Sequence, residues 1–271
     1  MAKISATILT LNEEKNIEAC LKTLEWCDEI IVVDSYSEDS TVEIAQEYAD
    51  EVYQKEVEGE NFSEPLRQFA VDKASGDWIL KIDADERVPK KLSRKLESLS
   101  ESNYDVIEVP RRNYFMGTPR ESAWPDYVKA MYRPEAVDLS DQIHNFEDVK
   151  PGKSVHAISP DKNAAIEHFS YTDIEDRLER INRYTTIETK QNPGFSVFRL
   201  VLAPLREFFR NFIYAKGFKD GARGFILSFL DAFYPLIEEL KRYERLKWGG
   251  RESYLQEYEE ISEQIIEQYE G

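Results

Sequence analysis

Two acidic residues, Asp83 and Asp85, stand one residue apart directly after the apolar run Trp78-Ile79-Leu80-Lys81-Ile82. The chain holds 53 Asp and Glu among 271 residues, so an acid-x-acid triplet alone carries little weight. Its position carries more. Two carboxylates at the mouth of a buried strand repel each other unless a cation or a hydrogen-bond donor lies between them. A hard divalent cation bridging carboxylate and phosphate oxygens is the chemistry such a pair would serve. The plain structural alternative is a solvated turn leading into a helix over 89–99. Polar groups follow two other apolar runs: Thr10-Leu11-Asn12-Glu13 after residues 4–9, and Asp34-Ser35-Tyr36-Ser37 after residues 29–33.

The elements that must position these groups follow from the pattern. Residues 4–9, 29–33, 51–53 and 78–82 read as strands. The second is continuous and β-branched, as in a parallel strand covered on both faces. Helices are predicted over 12–24, 40–48 and 64–74. Ser40-Thr41-Val42-Glu43 has the capping-box form, and Gly76 stops the third helix. Strand and helix alternating at this spacing predict right-handed βαβ units and a parallel sheet. Ligands of such sheets lie beyond the carboxyl ends of the strands, so the three polar strand ends are expected on one edge.

Bulk properties narrow the field. Lys and Arg number 35 against 53 acids, a net charge of −18, and this field repels nucleic acid. A 41% hydrophobic share with 12% aromatic residues excludes wholesale disorder. Cys20 and Cys27 are too few to staple the chain and read as reduced core residues. No secretion-signal pattern and no 18-residue apolar run occur. The expected compartment is therefore the cytoplasm. The histidines His144, His156 and His168 lack zinc spacing. His156 and His168 read as structural, whereas His144 is a candidate for reaching a metal or a diphosphate.

The texture changes near residue 194. Residues 199–225 carry Arg199, Arg206, Arg210, Lys216, Lys219 and Arg223 against Glu207 and Asp220, a local charge of 6 − 2 = +4. Aromatic and aliphatic residues interleave with them. Such helices either lie in a membrane interface and attract anionic lipid or pack as a helical hairpin on the catalytic domain or a second subunit. Residues 217–224 are expected to form the turn. The tail, 252–271, has seven Glu and no Lys or Arg, and Tyr254, Tyr258, Ile261, Ile265 and Tyr269 predict one apolar helical seam.

Taken together, Thr10-Leu11-Asn12-Glu13-Glu14, Ile31-Val32-Val33-Asp34-Ser35 with Ser40-Thr41, and residues 78–87 ending Asp83-Ala84-Asp85-Glu86-Arg87 resemble family-2 glycosyltransferases of the GT-A fold. The likeness is greatest to the lipopolysaccharide-core β-1,4-glucosyltransferase branch. It continues through Arg67-Gln68-Phe69-Ala70, residues 111–117, Trp124-Pro125-Asp126-Tyr127, His168-Phe169-Ser170-Tyr171 and residues 217–224, about nine tenths of the chain. The resemblance implies an α/β fold, a Rossmann-like mostly parallel sheet flanked by helices, with a helical C-terminal extension. It implies a catalytic domain over 1–193 (nucleotide-sugar half 1–110, acceptor half 111–193) and an amphipathic helical region over 194–271.

The implied reaction moves a sugar, expected as a UDP-hexose, from a nucleotide diphosphate to an acceptor hydroxyl with inversion. The implied acceptor is a lipid-linked or surface glycan. Carried over, Thr10, Leu11, Asn12 and Glu13 line the nucleotide pocket, Asp34 contacts base or ribose, and Arg67 sits near the nucleotide. Asp83 touches the ribose or sugar, with Ala84 between it and Asp85, which holds Mg²⁺ or Mn²⁺; Asp83 and His144 are the other metal candidates. The family's His-Glu pair reads His144-Asn145 here, so Glu147, and next Asp126, are the candidate bases. Ala130 replaces an arginine of a family run of which Arg133 remains, and Arg111 or Arg112 is the candidate substitute for its phosphate contact. Further expectations are a peripheral site on the inner face of the cell membrane and a homodimer through the C-terminal helices.

Three rival readings use the same features. A haloacid-dehalogenase-type phosphatase also places Asp-x-Asp after a strand, but wants Thr or Val where Arg87 stands. A nucleotidyltransferase would show a Gly-rich basic loop where this chain has Leu11-Asn12-Glu13-Glu14-Lys15. A non-enzymatic protein of membrane surfaces or interactions is the third.

Overall fold

The computed structural model describes residues 2–56, 64–139, 148–191 and 194–270. They form two compact units, Met1–Ser170 and Tyr171–Gly271. This division falls at 170/171 rather than 193/194, and the helix over 174–191 belongs to the second unit.

In the first unit, β1 (Ile4–Thr10), α1 (Ile17–Lys22), β2 (Glu29–Asp34), α2 (Thr41–Tyr48), β3 (Glu51–Gln54), α3 (Glu64–Lys73) and β4 (Trp78–Asp83) follow the predicted alternation. After them come β5 (Glu86–Arg87), α4 (Lys90–Ser100), β6 (Val106–Phe115), β7 (Thr118–Pro119) and β8 (Asp126–Tyr132). The last strands are β9 (Val137–Asp138), β10 (Asp148–Val149), β11 (Val155–Ala157) and β12 (Ile166–Tyr171). One sheet runs β3-β2-β1-β4-β8-β6-β12-β5, with β7 and β11 also on β6. Its first four strands are parallel. β8 joins β4 and β6 antiparallel.

The inner parallel strands β2, β1 and β4 are largely buried because both faces are covered. On one face Ala6, Ile8, Val32 and Leu80 pack with Ile17 and Leu21 of α1 and with Leu92 and Leu96 of α4. On the other, Ile31 and Val33 meet Leu66 and Ala70 of α3. Each fully buried Ile or Leu contributes about 1.5–3 kcal/mol, so these two layers fix where the strands end. Cys20 is buried and Cys27 partly so, both as free thiols.

The first helix starts later than the sequence reading, and the second starts where expected but without the expected cap bond. Asn12 is left-handed (φ 54°), and α1 begins only at Ile17. Ser40 gives no side-chain cap to α2; instead Asp39 accepts from the Thr41 amide at 3.0 Å, and the Ser40 amide donates to Glu14.

The second unit is helical: α5 (Ile174–Gln191), α6 (Val197–Phe209), a π-helical turn (Arg210–Tyr214), a 3₁₀ turn (Gly217–Asp220), α7 (Gly221–Trp248) and α8 (Arg251–Glu270). The connection between α6 and α7 therefore ends before Gly221, and Gly221 to Gly224 already open α7. A Cβ on Gly224 would stand 1.9 Å from the Gly217 carbonyl oxygen, so the hairpin closes only with glycine there. Arg177 pairs with Asp231, and the Tyr234 hydroxyl donates to Glu188 at 2.6 Å, tying α5 to α7. Left-handed Gly249 ends α7. The apolar seam of α8 is exposed at Tyr258, Ile261, Ile265 and Tyr269.

Candidate active site

The sheet register places the chemical groups in one row. Thr10 stands opposite Asp34, and Leu9 opposite Asp83, at the carboxyl ends of β1, β2 and β4. The β1 end is built around Asn12, whose amide donates to Ser37 Oγ and whose side-chain oxygen accepts from the Glu38 amide, both at 2.8 Å. Its left-handed backbone suits Asn, which tolerates that region better than most residues. Glu13 accepts from Asn16 Nδ2 at 2.8 Å. Thr10 Oγ1 is buried and finds no hydrogen-bond partner among the described residues. Asp34 is fully buried, with both carboxylate oxygens accepting from Ser37 and one also from Gln54. It shapes the loop that follows β2.

At the β4 end, Arg67 of α3 reaches Asp83 at 3.5 Å. Desolvation pushes the Asp83 carboxyl up, but the charge of Arg67, followed by Lys81, His168 and Arg111, outweighs it and holds the group below its ordinary range. Buried Glu86 moves the opposite way, through desolvation first and the charge of Asp83 second. Burial and neighbouring charges thus shift the two carboxyl groups in opposite directions. Ala84 is buried between the two acids, and its carbonyl accepts from Arg87 at 2.9 Å.

Asp85 is buried, and His168 Nε2 of β12 lies 3.5 Å from its Oδ2. His168 Nδ1 is 2.6 Å from Asn113 Oδ1, and Asn113 Nδ2 donates to Asp126 Oδ2 at 2.9 Å. Because the Asn113 amide nitrogen is used on Asp126, its oxygen faces His168 and must accept. Nδ1 therefore donates to Asn113, and Nε2 is turned to Asp85. Arg111 donates to Asp126 Oδ2 from Nε (3.0 Å) and Nη2 (2.8 Å), and to Glu86 from Nη1 (3.2 Å). Asp126, Asn113, His168 and Asp85 thus form one linked chain.

A carboxylate oxygen and an imidazole nitrogen this close suit Mg²⁺ or Mn²⁺. Among the described residues no group of three or more His, Cys, Asp or Glu gathers to hold a metal alone. The pair fits a cation whose remaining ligands are phosphate oxygens and water, the usual arrangement for Mg²⁺.

The structure brings Asp83, Asp85, Arg67 and Asp126 to one edge with Thr10 and Asn12. Glu147 and His144 lie outside the described residues. His168, held by Asn113, also stands beside Asp85, and His156 stacks on Tyr104. The two candidate phosphate arginines are already committed to carboxylates, Arg111 as above and Arg112 to Glu167 at 3.3 Å. Arg133 lies over the Trp78 ring and donates to the Tyr104 carbonyl, a structural role. Ala130 is fully buried, where an arginine would place a charge in the core. Asn113 and Glu86 were missed; only the strand pairing reveals them.

The family profile described as "Glycosyl transferase family 2" matches residues 5–153. LpsC of Rhizobium meliloti (strain 1021), a lipopolysaccharide core biosynthesis glycosyltransferase, is 30% identical over 264 residues, covering 89% of this chain and 92% of that protein. An uncharacterized glycosyltransferase of Rickettsia felis is 29% identical, covering 91% of each. Among solved structures, S. aureus TarS 1-349 in complex with UDP covers 94% of this chain and 91% of its own, with 18% identity and a TM-score of 0.45.

Proposed function

This chain belongs to glycosyl transferase family 2, and from that premise we propose that it is an inverting, metal-dependent transferase. It moves a hexosyl group from a UDP-sugar to a hydroxyl of a lipid-linked or surface glycan. The name of its relative LpsC supports an acceptor of the lipopolysaccharide-core class. Family membership also replaces the phosphatase, nucleotidyltransferase and non-enzymatic readings. The observation that carries the proposal is the chain Asp126–Asn113–His168–Asp85 at the carboxyl end of β4.

Asp85 and His168 would hold Mg²⁺ or Mn²⁺, which when bound neutralises the diphosphate as it leaves the sugar. Thr10, Asn12 and the Arg67–Asp83 pair border the place for the nucleotide and sugar. Asp126 removes the proton of the acceptor hydroxyl as that oxygen attacks the anomeric carbon and the bond to the diphosphate breaks. Arg111 and Asn113 hold Asp126 Oδ2, leaving Oδ1 to take that proton. Glu147, the first candidate base on sequence, lies outside the described residues and is kept as the alternative to Asp126. Orientation of base and nucleophile in one geometry supplies much of the rate in such reactions.

The test combines turnover with binding. Wild-type protein should release nucleoside diphosphate from a sugar nucleotide with Mn²⁺ and a core-oligosaccharide acceptor. Asp126→Asn should bind donor normally and lose about 10²–10⁴-fold in kcat, the usual contribution of a general base. Asp85→Asn should lose Mn²⁺-dependent UDP binding in calorimetry. If no UDP-, GDP- or CDP-sugar is turned over, or if Asp85→Asn binds UDP with undiminished Mn²⁺ dependence, the proposal fails.

A further inference from the structure

The basic, aromatic hairpin of the second unit takes no part in the chemistry above, and its surface is unlike that of the rest of the chain. Val201, Leu205, Phe209 and Ile213 recur every fourth residue along α6 and the π-helical turn, and all are exposed. Phe198 and Tyr214, at the two ends of this stripe, are 79% and 83% exposed. From Phe198 to Tyr214 the stripe runs about 25 Å at helical rise. Across the hairpin, Phe208 packs edge-on against Phe225 at 5.7 Å, and Phe212 against Phe225 at 5.8 Å and Phe218 at 6.4 Å. The exposed stripe is thus carried on a braced pair of helices.

Charge completes the pattern. Lys216, Lys219 and Arg223 are exposed at the tip of the hairpin, Arg206 lies on α6 and Arg210 opens the π-helical turn. The net +4 of residues 199–225 leaves −18 − 4 = −22 on the remainder of the chain. Apolar patches beyond a few hundred Å² mark sites of interaction in soluble proteins. No helix among the described residues is long and apolar enough to cross a membrane. A long apolar stripe with basic residues around a projecting tip is the form that lies in the headgroup plane and draws on anionic lipid.

We propose that the face formed by α6, the tip at 213–223 and the start of α7 docks onto the surface of an anionic lipid bilayer, with Tyr214 and Phe218 entering the interface and Lys216, Lys219 and Arg223 meeting lipid phosphates. This surface is independent of the donor, the metal and the base, so it stands whether or not the proposed transfer reaction does.

The experiment is flotation of the full chain with phosphatidylcholine vesicles, with or without one third phosphatidylglycerol. Light scattering on the same samples reports self-association. Wild-type protein should float with the anionic vesicles at low salt and much less at about 0.5 M NaCl, where the Debye length falls to a few ångström. Lys216→Glu/Lys219→Glu/Arg223→Glu should lower the partition coefficient by roughly fivefold per basic residue removed, on the order of 100-fold in all. A second variant, Tyr214→Ser/Phe218→Ser, tests the apolar half and should bind weakly at either salt concentration. The charge variant should match the wild-type circular dichroism melt, and the apolar variant, which loses the Phe212–Phe218 contact, should stay folded at the assay temperature. Wild-type protein that ignores anionic vesicles at low salt overturns the proposal, as does equal flotation of wild type and both variants. A dimer broken by Tyr214→Ser/Phe218→Ser, without vesicle binding by wild type, assigns the face to a second copy instead.

Discussion

Replacing Glu29 by glutamine should destabilise the first unit in a strongly pH-dependent way. Glu29 opens β2 and accepts from Ser5 Oγ of β1, from the Ser75 amide (2.8 Å) and from Ser75 Oγ (2.6 Å), with Lys3 Nζ at 3.5 Å. One carboxylate thereby ties β1, β2 and the segment entering β4. Desolvation pushes its pKa up, but the hydrogen bonds from Ser5 and Ser75 and the charge of Lys3 more than offset that and hold it at about 2, against an ordinary 4.5. At 1.36 kcal/mol per pH unit that gap is worth about 3 kcal/mol. The side chain is only 16% exposed, so solvent screening trims the figure modestly. Because the folded value is depressed, the stabilisation is complete above about pH 4.5 and is lost as pH falls towards 2. Urea unfolding followed by tryptophan fluorescence reports this unit, since Trp26, Trp78 and Trp124 lie in it and only Trp248 does not. Wild type minus Glu29→Gln should be about 2–3 kcal/mol at pH 7 and shrink steadily below pH 5. Other carboxylates titrate in both proteins and cancel. A difference that stays constant from pH 7 to pH 3 would refute the assignment of the stabilisation to the charged carboxylate.

Other perturbations probe the site and its support. Asn113→Leu should leave the fold intact, yet weaken Mn²⁺ affinity measured with UDP by about 10–100-fold, because His168 loses the acceptor that sets its tautomer; unchanged affinity would count against that role. Gly76→Ala should cost about 1–3 kcal/mol in urea unfolding through overpacking. Its Cβ would stand 2.5 Å from Ser5 Oγ and 2.7 Å from the Ser5 amide nitrogen. Adding Ser5→Ala should therefore fail to restore the loss, and full rescue would contradict the backbone clash.

The βαβ half was legible because its signals are local. Ile4, Ala6 and Ile8 alternate with Ser5 and Thr7 in β1, Ile30 to Val33 of β2 and Trp78 to Leu80 of β4 are short apolar runs, and Leu92 and Leu96 lie one helical turn apart on α4. The three polar strand ends follow from those runs, since parallel strands held in register place their carboxyl ends together. The capping form at Ser40 marks the start of α2 correctly, but the capping carboxylate is Asp39, held by the Glu14 amide. The strands from β6 to β12 gave no comparable signal. Their pairing partners are distant in the chain, and β6 mixes Arg111, Arg112 and Asn113 into a buried strand.

By itself the amino-acid order determined the parallel sheet, the acidic pair at its edge, the absence of a disulfide framework and the unusual basic hairpin. Tertiary structure decided which groups gather at the candidate site. His168, Asn113 and Arg111 come from strands well downstream of Asp85, and only pairing across the sheet brings an imidazole to 3.5 Å from that carboxylate. It likewise pairs the two candidate phosphate arginines with carboxylates, Arg111 with Asp126 and Glu86 and Arg112 with Glu167. The physical reason is the range of the interactions. Periodicity and capping act within a few residues and are written in the local sequence, whereas hydrogen bonds and charge pairs act over about 3 Å in space and depend on where the whole chain has brought each side chain.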